Sequence, residues 1–338
     1  MKTFLYIATN HLSMLREKRF KQIVHTVEQD ILEGRYKVGD RIASINSWCI
    51  RTGLSRSSVM LALDELKSRG IIEAEQSVGY FVSSTRVEVA HRILLIFGEF
   101  NLFKEDLYFS ILESLGSGAQ VDIVFHHSSR STFDMLVENT AGKYTVYVVM
   151  PGGDLGDIEV QLRKLGGKVI LVDHFSDSLK GKFSCVGQDF ATDTYDALVS
   201  GLSKIRPYRE IVLVQHNRIE PVERYDGLRR FCQEFEFESG YLKTMADMPV
   251  KRGVIYLTPE DREIVNILSA AQRQGLTAGT DFGLISYNDT VLKEVLAGGL
   301  TTLTTDFIQM GKTVVDLIRD KEIRTIRNPW KLILRKSL

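Results

Sequence analysis

Between Phe20 and Arg69 the apolar residues recur at helical spacing, with Ile23, Val27 and Ile31 in one stretch and Val59, Leu63 and Leu66 in another. Ser44 and Ser55 stand where helix N-caps belong, because a hydroxyl there accepts a backbone N–H that the first turn leaves unpaired. Gly53 separates two short helical patterns, with only Leu54 before the second cap. After Gly70 two short β-type runs, Ile71–Glu73 and Tyr80–Val82, flank a polar tip with Gly79 and predict a hairpin. The predicted order is helix, helix, tight turn, helix, hairpin.

Beyond Val87 short apolar runs alternate with amphipathic stretches. Predicted strands are Arg92–Phe97, Val121–Phe125, Thr145–Val149, Lys168–Val172, Glu210–Val214, Gly253–Leu257 and Phe282–Ser286. Predicted helices are Leu107–Leu115, Ile158–Leu165, Thr192–Leu202, Tyr225–Phe235, Arg262–Gln274 and Ile308–Arg319. Strands alternating with helices imply parallel sheets covered on both faces, and the length suits two α/β lobes better than one sheet. The division predicted is between an N-terminal helical unit, 1–86 with its core at 20–83, and an α/β unit, 87–338.

Composition narrows the class. A chain of 338 residues with 44% apolar and 25% charged residues is too apolar to be disordered and long enough for more than one domain. Its strongest apolar runs, Ile93–Phe97 and Tyr147–Met150, fall far short of the roughly 20 residues that a membrane helix needs. The first residues lack a sustained apolar segment and a small-residue cleavage site, so no signal peptide is expected. Cys49, Cys185 and Cys232 are too widely spaced for a metal site or a disulfide frame, and read as small buried hydrophobes in a reducing cytoplasm. The formal charge is zero, which argues against a nucleic-acid partner only if it is uniform. It is not: Lys and Arg outnumber Asp and Glu by 13 to 9 through Arg86, and are outnumbered 30 to 34 beyond it.

The segment LSRSSVMLALDELKSRGII places Arg56, Ser57 and Ser58 in the first turn of a helix capped by Ser55. That is where a recognition helix meets base edges, and arginine can grip guanine with two bonds while hydroxyls bond phosphate or bases. The stretch around it resembles the winged helix-turn-helix domain of the GntR family of bacterial transcription regulators. Gly34, Gly39, Asp40, Ser44, Ser55, Arg56, Val59, Ala62, Leu63, Leu66, Gly70, Gly79, Phe81 and Val82 match its pattern in order over about residues 20–83. The resemblance implies DNA contacts from Arg41, Ser44, Ser55, Arg56, Ser57, Ser58 and the wing tip at Gly79. Ala43 stands for a family Pro, Asn46 for an Arg that helps hold DNA, Met60 where Arg is common, and Ser77 for the first wing Gly. The family's usual operator therefore does not carry over. Trp48 faces either the core or DNA.

The remainder shows no GxGxxG, P-loop, GxSxG or HExxH pattern, and the turn Pro151–Asp157 lacks the Lys and Ser/Thr of a phosphate cradle. The adjacent His126 and His127 would point to opposite faces of an extended segment, a poor arrangement for shared metal ligation. Residues 91–338 resemble the LacI/GalR-type effector domain, with its periplasmic sugar-binding-protein fold. The residues that carry this are VYVVMPGG, KVILVDH, SCVGQDFATDTYDAL, EIVLVQHN with ERYDGLRRF, and Gly283, Tyr287, Asp289, Leu300, Thr301, Thr302, Asp306, Met310 and Gly311.

In an α/β lobe ligands bind beyond the carboxyl ends of the strands, here Glu99–Asp106, Asp173–His174, Asp189, Asn217–Arg224 and Asn288–Asp289. The resemblance implies effector contacts from Tyr108, Phe109, Asp189, Arg224, Asn288 and Asp289. Five of these have a structural alternative: interlobe salt bridges for Arg224 or Asp289, core packing for Tyr108 or Phe109, a turn cap for Asn288. Pro259 stands where the family often has an asparagine contact.

The expectation is an α/β protein with an N-terminal winged helix-turn-helix and a two-lobed periplasmic-binding-protein-like domain with parallel sheets. It would be a cytoplasmic, homodimeric, non-enzymatic repressor of sugar-utilisation genes, binding double-stranded operator DNA and a monosaccharide, with no cofactor and no metal. The alternatives are a nucleobase, amino acid or sugar-phosphate effector, Arg224 with Lys293 suiting an anion, or an aminotransferase-like enzyme fused to a DNA-binding head.

Overall fold

The computed structural model describes residues 20–87, 91–116, 119–152, 155–216 and 220–338. The N-terminal signal-peptide reading and Asn217 of the sequence-derived site lie outside these residues.

Helix α1 occupies residues 20–32. It is followed by α2 (Ile45–Thr52), α3 (Arg56–Ser68) and a hairpin of β1 (Ile72–Glu75) and β2 (Gly79–Val82). The Ser44 hydroxyl accepts the Ser47 N–H and the Ser55 hydroxyl accepts that of Ser58, so both caps form where the spacing predicts. Ile23, Val27, Ile31, Val59, Leu63 and Leu66 share one core with Ile42, Ile72 and Trp48, which is buried there and does not face DNA.

The α/β part has two sheets. The first lobe runs β3 (His91–Phe97), α4 (Leu102–Leu115), β4 (Ala119–Phe125), α5 (Arg130–Thr140), β5 (Val146–Val149), α6 (Glu159–Lys164), β6 (Lys168–Asp173) and β7 (Ser184–Gly187). The second runs α7 (Phe190–Ser200), α8 (Leu202–Ile205), β8 (Glu210–Val214), α9 (Glu223–Phe235), β9 (Glu238–Leu242), β10 (Val254–Thr258), α10 (Asp261–Gln274), β11 (Gly283–Tyr287), α11 (Val291–Val295) and β12 (Thr301–Thr305). The chain then returns to the first lobe with α12 (Phe307–Arg319) and β13 (Thr325–Arg327), and ends in the second with β14 (Trp330–Ile333).

The strand orders are β13-β7-β6-β5-β3-β4 and β14-β12-β11-β10-β8-β9. Every pairing in them is parallel except β12 with β14.

Three crossings therefore join the lobes, after β7, after β12 and after β13. Asn328 is buried at the last of them, and its Nδ2 donates to the Thr305 hydroxyl at 2.7 Å and the Asp306 carbonyl at 2.9 Å. Arg327 on β13 pairs with Asp193 on α7, tying the lobes beside the crossings. Phe307, Met310 and Val314 of α12 pack into the first-lobe core beside Leu107 and Ile111 of α4. Gly227 answers the R-x-x-G spacing: a Cβ there would collide with the Ala191 carbonyl, so only glycine lets α9 lie this close to α7.

Candidate nucleic-acid interface and effector cleft

The N-terminal ends of α2 and α3 and the β1–β2 wing border one groove, lined by Arg41, Ser44, Asn46, Arg56, Glu75, Val78 and Gly79 among others. Arg56 and Asn46 are exposed, and Arg56 Nη1 donates to Asn46 Oδ1 at 3.0 Å. Arg41 donates to the Val78 carbonyl with its guanidinium against Gly79, so it braces the wing tip. Ser44 and Ser55 are exposed caps, and Ser57 lies 3.0 Å from the Ser55 hydroxyl. Ser58 departs from the expectation. Its helical position turns it inward, where it is buried with its hydroxyl 3.0 Å from that of Ser55, away from the DNA-facing surface.

The second site lies between the lobes at the carboxyl ends of β3, β5, β6, β7, β8 and β11. An inner pocket of about 130 Å³ is lined by Glu99, Phe103, Lys104, Ser128, Asp173, His174, Gln188, Phe190, Glu220, Arg224 and Asn288, with neighbouring backbone. It adjoins a wider chamber of about 720 Å³ that shares His174, Gln188 and Phe190 and adds Asp157, Ser176, Lys180, Asp189 and Glu223.

Arg224 is 4% exposed. Its guanidinium carbon lies 4.8 Å from the Phe190 ring centre and 4.4 Å from that of Tyr287. It pairs with Glu220 at 2.5 Å, and its buried Nε has no protein partner. Burial pushes the Tyr287 hydroxyl up to about 12, with Arg224 opposing the rise, and that hydroxyl meets the Thr194 hydroxyl at 2.5 Å. Lys104, in the first turn of α4, is buried with Glu99 at 3.6 Å. His174 turns its Nε2 to Glu223 of the other lobe at 3.5 Å, while its buried Nδ1 has no protein partner.

Of the residues expected in the cleft, Arg224 and Asn288 line the inner pocket. Asn288 has a left-handed backbone (φ 56°) as it leaves β11. Asp189 caps α7 by accepting the Thr192 N–H and lines the wider chamber instead. Burial opposes its charge, but the Thr192 bonds together with the charges of Arg327 and Lys180 hold the carboxyl below the usual range. Asp289 is held bidentately by Arg335 at 2.6 and 2.8 Å and accepts from Thr302, which gives it a structural role outside the pocket.

Tyr108 and Phe109 also miss the cleft. Helix α4 starts at Leu102, so its cleft-facing first turn presents Phe103 and Lys104, and residues five further on lie about 7.5 Å down the axis. Tyr108 instead packs edge-on to Phe100 and Phe109, and Phe109 is half exposed.

Lys293 does not join Arg224 as an anion site. Its Nζ donates to the Tyr287 and Asn288 carbonyls at 2.7 and 3.0 Å and pairs with Asp261. The adjacent histidines diverge as expected: His126 is buried, with Nε2 3.0 Å from the Met150 carbonyl, and His127 is exposed. Among the described residues no group of three or more His, Cys, Asp or Glu could hold a metal ion.

Sequence reasoning missed Gln188 and Phe190, the neighbours of Asp189. In an extended segment residues two apart share a side, so the signal lay in their flanking a residue committed to a helix cap.

Comparison with known proteins fits this layout. Residues 19–82 match the family model of bacterial regulatory proteins of the gntR family, and residues 190–338 match that of the periplasmic binding protein-like domain. The HTH-type transcriptional regulator GalR of Streptococcus thermophilus is 24% identical, over 75% of this chain and 91% of its own. A LacI family transcriptional regulator from Silicibacter pomeroyi has a similar fold (TM-score 0.61, 16% identity), covering 73% of this chain and 98% of its own. So does a periplasmic binding protein/LacI transcriptional regulator from Alkaliphilus metalliredigens complexed with D-xylulofuranose (TM-score 0.60, 12% identity), over 73% and 98%.

The class defined is that of DNA-binding transcriptional regulators with a ligand-responsive α/β body. Within it, this chain joins a winged helix-turn-helix that matches the gntR family model to a two-lobed α/β domain whose residues 190–338 match the periplasmic binding protein-like model. Among the described residues no helix is long and apolar enough to cross a membrane.

Proposed function

We propose that this chain is a cytoplasmic, homodimeric repressor whose grip on its operator is set by a small neutral sugar bound between the lobes. Residues 1–86 form the reader and 87–338 the sensor and dimerisation unit, and the proposal assigns the chain no catalytic activity. The observation that carries it is Arg224: buried at the interlobe cleft, flanked by two aromatic rings, and holding an unpartnered Nε that a ligand hydroxyl would satisfy.

Other features favour a polyhydroxylated ligand. Gln188, Asn288 and Ser128 offer neutral donors and acceptors, and Phe103 and Phe190 offer apolar faces. Glu99, Asp173 and Glu220 outnumber Lys104 and Arg224, and Lys293 is engaged elsewhere, so an anionic sugar phosphate is disfavoured. One protein of this fold was crystallised with D-xylulofuranose, which supports a monosaccharide.

A ligand preferring one degree of lobe closure shifts the population of head arrangements, and by linkage DNA shifts ligand affinity equally. Dimerisation supplies two reading heads for two half-sites. Its proposed surface includes α11, where Val291 and Val295 are 73% and 74% exposed beside Leu292.

The test is a thermal-shift screen of monosaccharides, sugar phosphates, nucleobases and amino acids. A neutral sugar should raise the melting temperature of the wild type and not that of Arg224→Ala. Stabilisation confined to phosphates or nucleobases would contradict the sugar assignment.

A further inference from the structure

We propose that Asn46 determines sequence specificity: by holding Arg56 through its carbonyl oxygen, it makes the pair present N–H donors only and so selects guanine over adenine. The inference rests on the DNA-reading assignment of the head. Arg56 Nη1 donates to Asn46 Oδ1 at 3.0 Å, and both exposed side chains line the groove between the α2 and α3 N-termini and the wing.

An asparagine side chain is ordinarily ambivalent. Its oxygen accepts and its nitrogen donates, which lets it pair with both the N6 donor and the N7 acceptor of adenine. Here the oxygen is engaged by Arg56. What the pair turns outward is Asn46 Nδ2 and the remaining guanidinium N–H groups, all donors. In the major groove guanine shows two acceptors, N7 and O6, whereas adenine sets a donor beside its single acceptor. An adenine at that position would confront donor with donor.

The hydrogen bond also limits the rotamers of Arg56 before DNA arrives, so less freedom is lost on binding. Arg41, the other arginine lining the groove, is tied to the Val78 carbonyl and braces the wing. At position 46 the family resemblance would place an arginine gripping DNA directly; this chain places a residue that positions another arginine. Asn46 is thus a positioning residue, and base preference, not affinity alone, reports its role.

The experiment uses the full chain and a duplex selected by it from a random-sequence pool. Guanines of that duplex are replaced by adenine one at a time, and binding is followed by fluorescence anisotropy. The position faced by the pair is the one whose substitution weakens the wild type and leaves Arg56→Ala indifferent. There Asn46→Ala should reduce the guanine-to-adenine preference by about tenfold, the scale of one bidentate base contact. Asn46→Asp keeps an oxygen for Arg56 but turns a second acceptor outward where Nδ2 stood, so it too should lose the preference, and it should bind more weakly through its added charge.

An unaltered preference in Asn46→Ala would overturn the proposal. So would a uniform loss of affinity with a shallower salt dependence, the mark of a phosphate contact. If Arg56→Ala binds the selected duplex as the wild type does, the DNA-reading assignment itself fails. A defective Arg56→Ala beside an indifferent Asn46→Ala overturns only the role given to Asn46.

Discussion

The Arg224 guanidinium carbon lies 4.4 Å from the centre of the Tyr287 ring, joining the second turn-forming residue of α9 to the end of β11. Phe190 closes the other side at 4.8 Å, so the fork is held in place before a ligand arrives. Arg224→Ala should weaken sugar binding by about 10- to 100-fold, the scale of charge-assisted hydrogen bonds. Arg224→Lys should not restore it, because an ammonium has neither the fork nor the planar stack. Isothermal titration calorimetry distinguishes these outcomes.

At the crossing between β13 and β14, buried Asn328 bonds Thr305 and Asp306 of the neighbouring crossing. Asn328→Ala leaves the Thr305 hydroxyl without this donor and opens space at the junction. A loss of about 1–3 kcal/mol is expected in urea unfolding, with operator binding retained at low denaturant.

Much of this architecture was legible from spacing alone, and the exceptions have physical causes. The Ser44 and Ser55 caps, the hairpin and the strands from His91 to Asp173 stand within a residue or two of their predicted bounds. Strand β12 was not predicted because Thr301, Thr302, Thr304 and Thr305 read as polar. They are buried all the same, with Thr302 donating to Asp289 and Thr305 to the Pro329 carbonyl. Helix α5 buries only Phe133 and Val137, too sparse a pattern to mark a face. Strands β13 and β14 are short sheet edges that take meaning only from their partners across the chain. In the cleft, Arg224 and Asn288, named from the family resemblance and from their place beyond strands, line the inner pocket. Tyr108 and Phe109 were misplaced because the sequence does not show how far α4 extends toward the cleft.

Burial holds the His126 ring below the usual histidine range; the Met150 carbonyl opposes this, and the charges of Lys104 and His127 add to it. An unfolded histidine titrates near about 6.5, so the stability that His126 lends is fully present above that value. It is lost as the pH falls through the lower folded value, because the unfolded chain then binds the extra proton. His126→Gln should therefore show a shallower fall in melting temperature than the wild type between pH 7.5 and about 5. Equal slopes would remove His126 from the acid response.

Val291, Leu292 and Val295 form an apolar face on α11. If the proposed dimer forms through this face, replacing Leu292 and Val295 by aspartate should give monomer in analytical ultracentrifugation where the wild type gives dimer, and should weaken operator binding while sugar affinity persists. A dimer that survives both changes would move the interface elsewhere.

The central claim is that one chain couples a sugar in the interlobe cleft to DNA held by its head. It is tested most directly by titrating the full chain into its selected duplex with and without a neutral sugar found by thermal shift. The account predicts a two-half-site duplex whose Kd changes about fivefold or more on adding the sugar, and a change abolished in Arg224→Ala. A sugar that saturates the wild-type cleft and leaves the Kd for DNA unmoved would contradict it.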